Sequence, residues 1–540
     1  MNAYLLYREK EQSAEGRYFE EKNIIRDLGL ETVFWAASRD VIREGEKVIA
    51  LGEPDPFLES AMRKVMMVPL MNAGEISYRQ EILWDCFAEE AFIEELYRFS
   101  TEVLTRWDSL GRKAGDKAGS RNTPGALITD IHVLQLFVTS LTRLKKLFAE
   151  YRDRLRAEGF RAMHARLCEE FSEELSCSLE RILREIAFYA RDHEEGITGK
   201  MVNKPRIVLG CSLADGLKMA DFRLEEVDTE IKKYRNPASM LSRAQNYLSG
   251  KTKILASIPR GTAQAAQAEQ LEFAAVRYIV SCCEPFLNAF NGFFVQLRLQ
   301  TAFYRGAVNL KHHMERMDIG FCRPGAGEQD VLRFRELKEF VMGIEQRRNP
   351  VGNSCCLDGK NLLIVTGANQ GGKSTFLRSV GLAQICFQCG LQVAAESFES
   401  GIFPAFFTHF TRREDSAMNS GRLDEELGRM SRIVDNLGGR SMVLLNESFA
   451  STTEKEGSVI AYDIVKALKE AGVKVLTVTH LLSFAQRIYD EREEDSDVEF
   501  LSAQRMEDGR RTFRMTLHAP ELTSFGLDLY EEIIGTQFSG

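Results

Sequence analysis

The spacing of apolar residues along the chain changes near residue 340. Before that point apolar side chains recur three and four positions apart, as at Leu83, Phe87 and Leu96, which is the spacing of amphipathic helices. Residues 206–210 are instead typical of a strand. The first part of the chain is therefore expected to be mostly helical. The predicted helices cover residues 57–106, 126–193, 264–317 and 331–345, with a shorter one from Glu20.

After residue 340 short apolar runs alternate with helical stretches. The runs cover residues 361–366, 441–445 and 474–479, and each is followed by glycine or polar residues. Buried strands with functional groups at their carboxyl ends are typical of an open α/β sheet that has its site along one edge. We therefore expect an α/β domain over residues 341–540. A mostly α-helical core or lever domain is expected over 57–340, after an N-terminal segment of residues 1–56.

A glycine-rich loop follows the first of these runs. Gly367, Gly372, Lys373 and Ser374 have the spacing G-x-x-x-x-G-K-[ST] of a phosphate loop, which makes the domain a P-loop NTPase. The glycines let backbone N–H groups close around phosphate oxygens, and the next helix offers its positive end. Lys373 would reach the β- and γ-phosphates of ATP, and the Ser374 hydroxyl would bind Mg²⁺. The predicted ATP-binding residues are Gly367, Ala368, Asn369, Gln370, Gly371, Gly372, Lys373, Ser374 and Thr375.

The other two runs end in candidate catalytic residues. Glu447 follows the second run and is placed to polarise an attacking water, and His480 follows the third and is placed to sense or stabilise the γ-phosphate. Each residue has a structural alternative, because Glu447 could be a surface charge and His480 a hydrogen-bonded histidine at a strand end. The phosphate loop on the same predicted sheet favours the functional interpretation for both.

Together these motifs resemble those of the MutS family of ATPases. Residues 367–375 read Gly-Ala-Asn-Gln-Gly-Gly-Lys-Ser-Thr, and the family's phosphate loop reads Gly-Pro-Asn-Met-Gly-Gly-Lys-Ser-Thr. Further segments that resemble family motifs are Phe410–Arg412, Ser420–Arg422, Asn446–Glu447, Ser451–Thr453, Thr479–His480 and Leu522–Leu527. The resemblance is specific over about 350–530 and weaker over 55–340. It implies an ABC/MutS-type ATPase fold, with ATP and Mg²⁺ bound at the interface of a nucleotide-dependent homodimer.

Departures from the family pattern bear on the metal and on the partner. Asn446 stands where the family has the aspartate that holds Mg²⁺ through water, and a neutral amide should hold the metal less well and slow hydrolysis. The predicted metal ligands are thus Ser374 and Asn446. The resemblance also implies that Ser420 or Gly421 contacts the ATP of the partner subunit. We expect no N-terminal mismatch-binding domain, and a shortened clamp-like insert at about 200–270.

Charge singles out one segment of the chain. The net charge of −9 indicates that the protein as a whole does not bind polyanions, but residues 231–260 contain seven basic and no acidic residues. This segment lies where a MutS clamp would meet DNA, and its side chains would contact phosphates without reading the sequence. A solvated basic helix face is an equally open interpretation. The candidate DNA-binding residues are Lys232, Lys233, Arg235, Arg243, Lys251, Lys253 and Arg260.

These patterns favour a MutS-like ATPase that couples ATP binding and hydrolysis to sequence-independent binding of duplex or branched DNA, in repair or recombination. An ATP-gated scaffold that binds protein and no DNA is the alternative, favoured by the acidic balance. A transporter-type ATPase fits less well, because the helical lever belongs to the same chain. We expect no membrane span. The 11 cysteines, without paired Cys-x-x-Cys or Cys/His metal spacing, indicate a reducing, cytoplasmic compartment.

Overall fold

The computed structural model divides the chain into two compact units. The first unit consists of Met1–Ala3, Arg98–Arg152 and Ala162–Arg298, and the second of Tyr4–Tyr97, Asp153–Arg161 and Leu299–Gly540. The units cut across the three segments expected from the sequence, whose boundaries therefore stay predictions. The residues that the structure describes are 3–8, 18–44, 47–110, 123–195, 206–214, 218–228, 263–411, 421–492, 497–506 and 510–520.

The described chain is a mixed α/β structure with mostly helical content. The helices are α1 (Glu21–Leu28), α2 (Leu30–Ala37), α3 (Pro56–Met66), α4 (Ala73–Ala88), α5 (Glu90–Ser109), α6 (Pro124–Tyr151), α7 (Glu158–Glu170), α8 (Glu173–Glu195), α9 (Ala263–Arg316), α10 (Phe340–Gln346), α11 (Lys373–Gln388), α12 (Arg422–Asp435), α13 (Glu454–Glu470) and α14 (Leu482–Glu491). The strands are β1 (Val41–Glu44), β2 (Lys47–Leu51), β3 (Arg206–Ala214), β4 (Lys218–Asp228), β5 (Gly325–Ala326), β6 (Leu332–Leu337), β7 (Asn353–Cys356), β8 (Leu362–Thr366), β9 (Ser397–Ser400), β10 (Ala405–Phe410), β11 (Ser441–Asn446), β12 (Lys474–Val478), β13 (Val498–Arg505) and β14 (Arg511–Leu517).

The helix predicted over 331–345 is wrong in its first half. Residues Leu332–Leu337 form strand β6, and only α10, Phe340–Gln346, is helical. Along β6 the side chains of Leu332 and Phe334 are buried while that of Arg333 between them is exposed, which is the alternation of a strand that covers a core with one face. The strand pairs with β9 on one side and β7 on the other.

Long helices build the first unit. Helix α6 begins with Pro124 at its first position, and the hydroxyl of Thr123 accepts the N–H of Ala126 at 3.3 Å. The buried ring of Phe137 on α6 meets the ring of Phe290 edge to face, with 5.2 Å between the ring centroids. Packing of this kind buries the apolar face that predicted the helix.

Helix α6 also bears on the expectation that the chain has no membrane span. Among the described residues, this one helix is long and apolar enough to cross a membrane, with a mean hydropathy of 1.3. However, 56% of its most apolar window is buried inside the structure. A buried core helix of a folded domain passes the same test of length and composition.

A six-stranded sheet forms the centre of the second unit. Its strand order is β10-β11-β12-β8-β13-β14, and all neighbours are parallel except β14, which is antiparallel to β13. Aliphatic and aromatic residues of the sheet pack with residues of α12, α13 and α14 in one buried cluster. The carboxyl ends of β8, β11 and β12, which are neighbours, therefore lie side by side. A smaller sheet of order β5-β9-β6-β7 belongs to the same unit.

Residues 4–8 belong to the second unit, and Leu5 and Leu6 are buried in it. The N–H of Leu5 donates to Oε1 of Gln300 at 2.6 Å, and the hydroxyl of Tyr304 donates to the carbonyl of Leu5 at 2.6 Å. Because Leu5 and Tyr304 are completely buried, these bonds satisfy backbone groups that water does not reach.

A fully buried guanidinium holds the next residue of this segment. Arg79 of α4 donates through Nε and Nη2 to the carbonyl of Leu6, at 3.1 and 3.0 Å, and through Nη1 to the carbonyl of Cys389 at 3.0 Å. Cys389 caps the carboxyl end of α11, where helix carbonyls carry partial negative charge. The Arg79 guanidinium also lies over the ring of Tyr7, 4.9 Å from its centroid. Arg79 thus ties residues 3–8 and α4 to the end of α11.

Replacing Arg79 tests this connection. We expect Arg79→Met to lower the free energy of unfolding by about 2 kcal/mol, because buried carbonyls of Leu6 and Cys389 lose their donor. Differential scanning calorimetry should show a midpoint several degrees lower. The control is Arg335→Met, because Arg335 forms only an exposed ion pair with Glu396. Equal midpoints for the two variants would show that the buried bonds add nothing net.

Candidate functional site

The loop between β8 and α11 has the backbone of a phosphate loop. Gly367 has φ 102° and Gly372 has φ 91°, values that only glycine adopts without strain. A Cβ on Gly367 would lie 2.7 Å from Oγ of Ser502 and 2.9 Å from the backbone nitrogen of Ala503. Strand β13 therefore packs directly against the loop, and both the turn and the contact require glycine. The nine residues predicted to bind ATP lie in this loop and in the first turn of α11.

The side chain of Lys373 reaches back into the phosphate loop. It is the first residue of α11 and is 5% exposed. Its Nζ donates to the carbonyl oxygens of Gly367 and Ala368, at 2.8 and 3.0 Å. The positive charge is thus held at the amino end of the helix, where the backbone N–H groups of the first turn also point. This is an arrangement that binds a polyphosphate.

A cavity of about 350 Å³ adjoins the loop. Loop residues from Asn369 to Thr375 line one side of it, and Glu447 also contributes. The rest of the lining combines the apolar residues Met342, Pro350, Val351 and Phe513 with polar ones, among them Glu339, Arg348 and Asn349. The cavity therefore offers a polar part for phosphates and an apolar part for a flat ring system.

Strand β14 holds Phe513 beside the loop. The side chain of Asn353 donates to the carbonyl of Phe513 at 3.3 Å and accepts the N–H of Met515 at 2.7 Å. Phe513 has φ 59°, an uncommon value for a bulky residue, and its side chain lies 3.4 Å from where a Cβ of Gly372 would be. An aromatic ring is thus fixed next to the phosphate loop by a strained backbone.

The carboxyl end of β11 carries Asn446 and Glu447. Glu447 has φ 56°, and its N–H donates to the carbonyl of Val478 at 2.8 Å, which extends the ladder between β11 and β12 by one bond. The side-chain oxygen Oδ1 of Asn446 is buried and has no hydrogen-bond partner within the described residues. Both residues line a second, more open cleft together with Asn369, Glu454 and His480. An amide oxygen without a donor fits a position next to a hydrated cation.

Glu447 and His480 are hydrogen-bonded to each other. Oε2 of Glu447 contacts Nδ1 of His480. This hydrogen bond raises the pKa of His480 above its ordinary value, against the effect of burial, and the charge of Glu447 adds to the rise while that of Lys373 opposes it. The two catalytic candidates therefore lie in contact within one cleft.

Several residues that the sequence analysis missed hold the loop after β11. Glu426 of α12 accepts the N–H of Phe449 at 2.8 Å, and Ser448 lies 2.7 Å from Nδ1 of the buried His409. The two terminal nitrogens of the Arg429 guanidinium, Nη1 and Nη2, donate to the carbonyl of Phe410 at 3.1 Å. Glu426, Arg429, Met430 and Ile433 are the buried residues of α12, spaced three and four positions apart. A charged residue on this apolar stripe was the signal that could have revealed them.

Two sets of predicted binding residues lie outside the described residues. They are Ser420, predicted to contact the ATP of the partner subunit, and the basic segment of residues 231–260, predicted to contact DNA. Gly421 is described and caps the amino end of α12. The antiparallel pair β3–β4 lies within the predicted clamp-like insert of about 200–270. The roles of Ser420, Gly421 and the basic residues stay predictions.

Two protein-family models match the chain. The model of the MutS2 N-terminal domain matches residues 71–317, and that of MutS domain V matches residues 363–532. The chain belongs to the MutS family. MutS domain V is a P-loop ATPase domain, and its match contains the phosphate loop, Glu447 and His480.

Curated members of the MutS family are similar to this chain over different lengths. "DNA mismatch repair protein MutS" of Salinibacter ruber is 24% identical over 513 residues, which are 86% of this chain and 53% of that protein. "Endonuclease MutS2" of Thermus thermophilus is 32% identical over 165 residues, 30% of this chain and 21% of that protein. "MutS protein homolog 4" of Mus musculus is 34% identical over 154 residues, 28% of this chain and 16% of that protein. The matched part of this chain thus spans about half or less of these MutS relatives.

The pair of Glu447 and His480 predicts opposite titration shifts in two variants. Glu447→Gln should lower the pKa of His480, because it removes the hydrogen bond and the charge that stabilise the imidazolium. Lys373→Ala should raise the same pKa, because it removes a nearby positive charge. The imidazole Cε1–H signals in an NMR pH titration report both shifts.

The raised pKa of His480 determines how the free energy of unfolding changes with pH. Protonation of His480 stabilises the folded protein fully below the ordinary histidine pKa, and this contribution is lost as pH rises through the raised value. A His480 pKa that is unchanged in Glu447→Gln would contradict the pairing.

Proposed function

We propose that this MutS-family chain binds and hydrolyses ATP with Mg²⁺ at a dimer interface, and that it couples this reaction to sequence-independent binding of DNA. The observation that carries the proposal is the convergence of three strand ends on one site. The phosphate loop follows β8, Asn446 and Glu447 end β11, and His480 follows β12. The match to MutS domain V supports ATP as the nucleotide.

Each part of the site has a role in binding. Lys373 and the amino end of α11 neutralise phosphate charge. The Ser374 hydroxyl and Oδ1 of Asn446 are the oxygen donors for Mg²⁺, which when bound offsets negative charge on the phosphates. Because Asn446 contributes no negative charge, we expect weak metal binding and slow turnover.

The Glu447–His480 pair handles the proton. Glu447 accepts a proton from the water that attacks the γ-phosphate, and His480 orients the Glu447 carboxylate through their hydrogen bond.

A homodimer would complete the site. The cleft lined by Asn446, Glu447 and His480 is open on its outer side and has a volume of about 820 Å³. The loop around Ser420 and Gly421 of a second copy would close this cleft over the nucleotide in a two-fold arrangement. Since each site then contains the partner's loop, nucleotide binding and dimer formation favour each other.

Substituting the proposed base tests the ATPase activity. Glu447→Gln should bind ATP as tightly as the wild type and lower the hydrolysis rate by about 100-fold or more, because an amide does not accept the proton of the water. Rapid-quench assays with radiolabelled ATP measure the rate, and equilibrium dialysis measures binding. Asn446→Asp is the companion variant, and it should lower the Mg²⁺ concentration needed for half-maximal rate. Lys373→Ala should lose ATP binding. Undiminished hydrolysis by Glu447→Gln would show that another group is the base.

Binding of DNA is proposed from the basic segment and from the relatives. A "DNA mismatch repair protein" is among the MutS relatives, and the match extends over both parts of the chain. The competing proposal is an ATP-gated scaffold that binds protein, and the net charge of −9 favours it. Salt dependence separates the two, because contacts to phosphates release counterions.

Charge reversal in the basic segment tests the DNA proposal. With Lys232, Lys233, Lys251 and Lys253 changed to glutamate, affinity for every DNA sequence should fall by about 100-fold or more at low salt, since phosphate contacts do not read bases. ATP binding should stay unchanged. Fluorescence anisotropy with labelled linear and branched DNA measures the affinity.

The control for this experiment reverses four exposed lysines elsewhere, so that the net charge changes equally. These are Lys22, Lys64, Lys146 and Lys466. Equal losses in both variants would attribute the effect to overall charge. An absence of DNA binding by the wild type at low salt would favour the scaffold.

A further inference from the structure

The cavity next to the phosphate loop contains a carboxylate that the proposed mechanism does not use. Glu339 lines this cavity and is 2% exposed. It caps helix α10, where its Oε2 accepts the N–H of Met342 at 2.5 Å. Its other oxygen, Oε1, is buried and has no hydrogen-bond partner in the described part of the chain. The helix cap therefore accounts for the environment of only one of the two carboxylate oxygens of Glu339.

An unpartnered buried carboxylate oxygen costs stability unless something else satisfies it. Burial raises the pKa of Glu339 to about 7, while the N–H of Met342 and the charge of Arg378 lower it and that of Glu345 raises it. The fold thus tolerates a group that is poorly solvated at neutral pH. Such a group is explained when a ligand supplies the missing donor.

The position of Glu339 indicates which part of a ligand it meets. Lys373 and the loop take the phosphates, whereas Met342, Val351 and Phe513 form the apolar side of the cavity. The Glu339 carboxylate is bonded to the backbone of Met342, so it lies next to this apolar part of the lining. A purine ring placed there presents hydrogen-bonding groups only at its edge. Oε1 is the oxygen that the helix cap leaves for such a group, since Oε2 is held by the N–H of Met342.

We propose that Glu339 selects the nucleobase: Oε1 accepts a hydrogen bond from the exocyclic amine at position 6 of adenine. The cavity then favours adenine over purines that carry a carbonyl or no substituent at that position, because at position 6 only the amine supplies a donor to the buried acceptor. This inference rests on the proposed ATP binding and adds to it a residue that determines base specificity.

Glu339→Gln is a specific test of this role. A glutamine can keep its single carbonyl oxygen on the N–H of Met342, which leaves its NH₂ group for the cavity. The substitution therefore preserves the helix cap and replaces an acceptor by a donor. The matched control is Glu345→Gln on the same helix, where an exposed carboxylate accepts the hydroxyl of Thr32.

The experiment is calorimetric titration of the full chain with Mg²⁺ and nucleoside diphosphates, which avoid turnover. The probes are ADP, inosine diphosphate, purine riboside diphosphate without a group at position 6, and 2′-deoxyADP. Wild type and Glu345→Gln should bind purine riboside diphosphate about ten- to hundredfold more weakly than ADP, and 2′-deoxyADP as tightly as ADP. In Glu339→Gln the preference for ADP should disappear, and inosine diphosphate should bind at least as well as ADP.

The outcomes separate the inference from the proposed function. No binding of any diphosphate by the wild type would overturn ATP binding itself. Tight ADP binding with equal affinity for purine riboside diphosphate would overturn only the role of Glu339. Weak binding of 2′-deoxyADP alone would place the donor on the ribose and overturn the assignment to the base. A preference for ADP that persists in Glu339→Gln would also overturn the assignment of Glu339 to the base.

A second measurement uses pH. An amine donor favours the ionised carboxylate, so ADP affinity of the wild type should rise by up to about tenfold between pH 6 and pH 8 relative to that of Glu339→Gln. The comparison cancels the titration of the nucleotide. The charged groups next to Glu339 or on the same cavity are Arg378, Glu345, Arg348, Lys373 and Glu447. Parallel pH profiles for the two proteins would contradict the proposal.

Discussion

The candidate site depends on the parallel alignment of three neighbouring strands. Asn446 of β11 pairs with Val478 of β12, and Val478 pairs with Val365 of β8. Because the strands run in the same direction, the residues that follow these pairs emerge at one edge of the sheet. The ladder continues beyond the strands, since Thr479 donates to Val365 at 3.1 Å. The distances between the loop, Glu447 and His480 are therefore set by backbone hydrogen bonds rather than by flexible side chains.

The local parts of this arrangement could be predicted from the sequence. The spacing of Gly367, Gly372 and Lys373 specifies the loop, because it is a property of consecutive residues. The apolar runs that became β8, β11 and β12 are likewise short and continuous. By contrast, β6 alternates apolar and charged residues over only six positions, and this short pattern was mistaken for a helix. The buried Oε1 of Glu339, which has no hydrogen-bond partner among the described residues, could not be predicted from the sequence. A carboxylate is buried by chain segments that are distant from it in sequence.

The loop after β11 is held in an uncommon conformation. Both Glu447, with φ 56°, and Phe449, with φ 64°, adopt left-handed backbone values. Each such residue costs about 1–3 kcal/mol and persists only when its surroundings impose it. The bond from Phe449 to Glu426 and the contact of Ser448 with His409 provide that constraint. The position of the proposed base is thus maintained from α12 and β10, outside the phosphate loop.

The burial of Leu5 and Leu6 has a consequence for synthesis of the chain. Leu5 is bonded to Gln300, 295 residues later, and Leu6 is linked through Arg79 to Cys389. At ribosomal speeds these partners emerge on the order of tens of seconds after the first residues. During that interval the segment lacks these partners, so Leu5 and Leu6 stay exposed on the nascent protein. Chaperones that recognise extended apolar peptides would meet this segment long before the ATPase sheet exists.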